Sequence, residues 1–153
     1  MKTIKRTTII EAIIVLFVML FLYTGISKIM DYRIFKVQIG MSPILNPIAP
    51  VIAAALPWVE FLAVLLLIVP RWRLMGLKLS LILMTSFTLY VIAILIFNKD
   101  LPCSCGGIIE LMSWSQHIIF NVIFTILAFV GILLEKGIRM NNKRMLVAIL
   151  KNI

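Results

Sequence analysis

Charge-free apolar stretches divide the chain. Residues 12–27 carry no charge, and neither do the twenty residues 79–98 or the twenty-four residues 111–134. A helix needs about 20 apolar residues to cross a bilayer core of roughly 30 Å. The first run reaches that length when residues 8–11 are counted with it. A fourth run lies between Lys36 and Arg71, where residues 50–69 are apolar apart from Glu60. Pro43, Pro47 and Pro50 break the chain ahead of it and predict a loop there. Pro50 suits the first turn of a helix, where no backbone donor is needed. Pro57 falls inside the run, which a membrane helix tolerates. The pattern predicts an all-α protein, an integral membrane four-helix bundle. Its spans are expected at about 8–27, 50–69, 74–97 and 113–134. One domain covers 1–153, and residues 135–153 form a basic tail.

Composition agrees. Of 153 residues, 63% are hydrophobic and 14% are charged, whereas a soluble domain is about half apolar and a quarter charged. A soluble globular fold and a disordered chain are both excluded. The net charge of +9 comes from 15 Lys and Arg against 6 Asp and Glu. On a soluble protein it would suggest nucleic acid. Here the basic residues flank the apolar runs, so the expected partner is the lipid bilayer and no nucleic acid. Lys2, Lys5 and Arg6 ahead of the first run imitate a signal peptide. The run ends at Gly25-Ile26-Ser27-Lys28 without a good cleavage site, and a retained first helix is expected.

Four spans put both termini on one side. That side holds eleven basic residues; the other holds Lys28, Arg33, Lys36 and Lys99. The positive-inside bias predicts cytoplasmic termini and an outward-facing loop between the third and fourth spans. In the tail, Lys136, Arg139, Lys143 and Arg144 alternate with Ile138, Met145, Leu146, Ile149 and Leu150. Two readings are open: a basic amphipathic helix on the anionic inner leaflet, or a solvated topogenic tail.

The outward loop carries the most informative residues. Both cysteines of the chain lie in Pro102-Cys103-Ser104-Cys105-Gly106-Gly107. Outside the cytoplasm a disulfide can persist. A bond between residues two apart is strained, and strained, exposed disulfides exchange readily. Ser113 and Gln116 fit a capping box at the start of the fourth helix, and His117 follows. The helix dipole and His117 would both lower a nearby thiol pKa. Redox exchange is the leading reading of Cys103 and Cys105, with His117 tuning the thiolate. A structural disulfide, and a soft-metal site for Cu(I) with His117 as third ligand, stay open beside it. No metal is expected, because two cysteines and one histidine fall short of a full donor set.

Glu60 sits near the middle of its span, where a charge costs about 3 kcal/mol or more and usually faces the bundle. It is either functional or a hydrogen-bonded structural carboxyl. His117, Asn121 and Thr125 recur every four residues and so share one helix face. That stripe is either a path from the sulfurs into the bundle or a set of interhelical hydrogen bonds. Lys28 reads as a snorkelling anchor able to pair with Asp31 at the outer mouth.

Four motifs together resemble the MauE/DoxX-like family of small bacterial membrane proteins. They are the aromatic, Gly-x-x-Lys and Asp run from Phe21 to Asp31; Pro57-Trp58-Val59-Glu60; Cys103-Ser104-Cys105-Gly106-Gly107; and Trp114, His117 and Asn121 opening the last span. The resemblance covers nearly the whole chain. It implies a bundle distantly similar to the vitamin K epoxide reductase fold, in a bacterial inner membrane, with disulfide chemistry outside the cytoplasm. The family's namesake is associated with maturation of a disulfide-rich dehydrogenase subunit. This chain has Cys-x-Cys rather than the reductase's Cys-x-x-Cys, and it has no second shuttle pair. A thioredoxin-like or disulfide-containing partner would then be a separate chain. The resemblance makes a quinone the candidate cofactor, with Glu60 and Asn121 as the residues to hold it. The expected activity is thiol–disulfide oxidoreduction, by this chain or with a partner. A small transporter using the buried carboxylate and a copper-handling accessory protein are the alternatives.

Overall fold

A computed structural model describes residues 2–40, 45–97 and 114–151. The described residues form five helices and one short turn, in the order α1 (Lys2–Met30), α2 (Tyr32–Gly40), a 3-10 turn (Asn46–Ile48), α3 (Ala49–Ile68), α4 (Arg73–Phe97) and α5 (Trp114–Lys151). Four of these helices are long and apolar enough to cross a membrane. The protein is a multi-pass membrane protein built as an all-α bundle. Lipid offers no hydrogen bonds to a bare backbone, so each apolar run closes its own bonds as a helix.

The helices are apolar on nearly all sides. Outward-facing residues such as Met19, Trp58, Leu65, Ile96 and Phe129 are exposed, which suits contact with acyl chains. The core is built from Ile10, Phe17 and Phe21 on α1, Ala63 and Leu67 on α3, Leu77 and Met84 on α4, and Ala128 and Ile132 on α5. Phe17 meets Phe124 of α5 edge-on, with ring centroids 5.3 Å apart. Gly131 of α5 nests against Leu77 of α4 and Ile13 of α1. The closest packing is of α4 on α5 and of α1 on α3.

Two features differ from the hydropathy reading. The stretch after the first span is not all loop. It holds α2, whose Ile39 packs on Ala49 and Ala53 of α3. The alternation of apolar Ile34, Val37 and Ile39 with charges is too short to stand out by period alone. The last helix also does not stop near residue 134 but runs on to Lys151, because no proline interrupts the basic tail. As expected, Pro50 lies in the first turn of α3, and the helix continues through Pro57.

The end of the bundle that carries both chain termini is tied by ion pairs. Arg73 at the start of α4 donates two hydrogen bonds to Glu11 of α1, at 2.7 and 3.2 Å. Arg139 of α5 donates to Glu135 at 2.8 Å. It also donates to the carbonyls of Pro70 and Arg71, in the turn between α3 and α4.

Candidate functional site

The opposite half of the bundle is centred on Glu60. Its residue exposure is 0%, although it lies in a helix that is otherwise apolar. Lys28 Nζ donates to Glu60 Oε1 at 2.5 Å across the α1–α3 interface. The ammonium also stands 5.6 Å from the Phe35 ring of α2 and 5.4 Å from the Phe87 ring of α4. One lysine thus joins four helices. Opposite charge and aromatic faces together offset its loss of water. Lys28 is therefore not a snorkelling anchor, and its carboxylate partner is Glu60 rather than Asp31. Burying both charges against each other avoids leaving Glu60 alone in lipid, which decides the rotamer.

Gly25 makes the approach possible. A Cβ there would fall 3.0 Å from Phe61 Cε1 and 3.4 Å from Glu60 Oε2. The Gly-x-x-Lys of α1 and the Pro-x-x-Glu of α3 are two halves of one contact. Thr24, one turn before Lys28, lies beside the same carboxylate. Thr24 Oγ1 and Glu60 Oε2 are neighbours that fall short of hydrogen-bond geometry, and both atoms are buried.

His117 and Asn121 come from α5. Both are buried, and His117 Nδ1 and Asn121 Nδ2 have no partner among the described residues. Register places His117 at the depth of Thr24, beside the carboxylate, and Asn121 about one turn deeper. The two helices run antiparallel from the Phe17–Phe124 contact, so Phe21 falls level with Asn121 and Thr24 level with His117. Both residues share the Phe124 face of α5, at helical spacing from it. Thr125 does not extend the stripe as an interhelical donor; its hydroxyl bonds back to the Asn121 carbonyl at 2.8 Å.

Glu60, His117 and Asn121, three of the five site residues expected from sequence, thus belong to one buried polar layer. Cys103 and Cys105 lie outside the described residues. Lys28, the central cation, was missed as a site residue because it stands just past a charge-free run. An isolated carboxylate inside a span calls for a cation within reach, and that signal pointed to it.

The chain matches the family model "Methylamine utilisation protein MauE" over residues 6–134. The chain belongs to the MauE family. The match includes the whole polar layer and both cysteines, and it ends before the basic extension of α5. No curated protein and no solved structure gives a significant match.

Proposed function

We propose that this MauE-family protein is the membrane component of a thiol–disulfide exchange system, with Cys103 and Cys105 as the exchanging pair. The observation that supports this reading is a buried His117, whose Nδ1 has no partner among the described residues, in the opening turns of α5. That helix begins at Trp114, nine residues after Cys105 in the sequence. The charge asymmetry of the loops supports cytoplasmic termini and an extracytoplasmic loop in a bacterial inner membrane. Partners reach the cysteines from that outer side.

In the reducing direction, one cysteine thiolate attacks a disulfide of an extracytoplasmic client. The client S–S bond breaks, a mixed disulfide forms and one client sulfur leaves as thiolate. The second cysteine then attacks the mixed disulfide. The products are a Cys103–Cys105 disulfide and two client thiols, with two electrons and two protons transferred to the client. A thioredoxin-like dithiol restores the pair by the same two exchanges. In the oxidising direction every step runs in reverse. His117 takes up the proton that the attacking thiol releases. The family description supports a client within methylamine utilisation, and a disulfide-rich secreted dehydrogenase subunit fits the chemistry.

The polar layer also fits a quinone as second electron carrier. Asn121 Nδ2 is a buried donor and Glu60 Oε2 a buried acceptor, which suits the carbonyl and hydroxyl oxygens of such a head group. When bound, a quinone would accept or supply two electrons and two protons.

The test is thiol trapping in intact cells with a membrane-impermeant maleimide, with and without prior reduction. Labelling of Cys103 and Cys105 only after mild reduction is expected. In a Cys103→Ser or Cys105→Ser strain, a mixed disulfide with a client should accumulate. Full function in the double-serine strain would refute the reading and favour transport through Glu60.

A further inference from the structure

The last third of α5 stands outside the bundle. At 1.5 Å per residue its 38 residues span roughly 57 Å, against roughly 30 Å for a bilayer core. A helix entering the core at Trp114 leaves it near residue 134. The extension stays docked as far as Arg139: Ile138 packs against the core, and Arg139 donates to the carbonyls of Pro70 and Arg71 in the turn between α3 and α4. Beyond Arg139, residues 140–145 are all exposed.

This extension is poorly suited to water. Met145, Val147 and Leu150 are 57%, 63% and 64% exposed. It is also strongly cationic. Lys136, Lys143 and Arg144 are exposed, and no acidic residue follows Glu135. Upright in water, the helix would carry Lys143 and Arg144 about one Debye length, roughly 8 Å, from the surface. Laid flat, it would bring both charges to the headgroups together with Val147 and Leu150, which share the Lys143 face. The span itself tethers it there.

We propose that residues 140–151 form a surface-binding helix for anionic phospholipid headgroups, bending onto the leaflet at the chain-terminal end beyond the Arg139 anchor. Charge complementarity selects lipid phosphate over a second copy of this chain, whose own extension is equally basic. The inference concerns residues outside the family match and does not depend on the thiol chemistry.

Full-length protein with Val147→Cys in a Cys103→Ser/Cys105→Ser background is labelled with an environment-sensitive fluorophore. It is placed in nanodiscs of phosphatidylcholine alone, or of phosphatidylcholine with phosphatidylglycerol. The label should be blue-shifted and shielded from aqueous iodide only in the anionic discs, and concentrated salt should expose it. Adding Lys143→Gln and Arg144→Gln should lower the shielded-to-exposed ratio roughly thirtyfold, at about 1 kcal/mol per charge. Equal exposure in both kinds of disc would overturn the proposal, as would equal shielding in both. Shielding that appears only in discs holding two copies would overturn it in favour of self-association.

Discussion

Replacing Lys28 by Met keeps an unbranched side chain among Phe35 and Phe87 but removes the cation 2.5 Å from Glu60. The Glu60 side chain is 0% exposed and that of Lys28 is 9% exposed. Solvent can therefore do little for whichever charge remains. Breaking one partner of a buried pair costs about 3–5 kcal/mol, because the survivor is left uncompensated. Lys28→Met should lose stability in that range, and Glu60→Met should do the same. The double variant should not lose the sum. An apolar pair of similar volume in place of a buried ion pair is commonly neutral or stabilising by about 1–4 kcal/mol. The coupling between the two positions should thus be several kcal/mol. The assay is denaturant unfolding of the purified protein in mixed micelles, followed by helical circular dichroism, as a double-mutant cycle. Single losses below about 1 kcal/mol, the range of a solvated surface pair, would refute the reasoning. So would additivity in the double variant. Stability and function should separate here, since the double variant is expected to fold while lacking the polar groups of the site.

Three further outcomes follow from the geometry. Asn121→Leu should leave stability unchanged or slightly raised, because it removes a buried donor without a partner; thiol exchange in cells should nevertheless fall if the quinone reading holds. Gly25→Val should destabilise the bundle by about 1–3 kcal/mol, since even a Cβ reaches 3.0 Å from Phe61, and a thermal melt of the solubilised protein reads it. Arg139→Gln should cost about 1 kcal/mol in the same melt, because the arginine is partly exposed while holding Glu135 and the carbonyls of Pro70 and Arg71.

Hydropathy alone located the four spans, because the bilayer leaves an apolar segment of that length one economical conformation. The positions of Pro50 and Pro57 were legible for the same reason, as was the isolation of Glu60. The cysteine pair is known from sequence only. Which faces turn inward was not legible: helices apolar all round carry no stripe to mark the core side. The side chain of Lys28 could reach water or the bundle with equal ease on a linear reading. Only the meeting of α1 with α3, allowed by Gly25 and completed by Phe35 and Phe87, gave it Glu60 as a partner. The same packing set His117 at the depth of the carboxylate and Asn121 about one turn deeper, a relation fixed by interhelical register and absent from any spacing along the chain. Sequence determined what must cross the membrane; tertiary structure decided which buried polar groups meet there, because that depends on contacts between residues far apart in the chain.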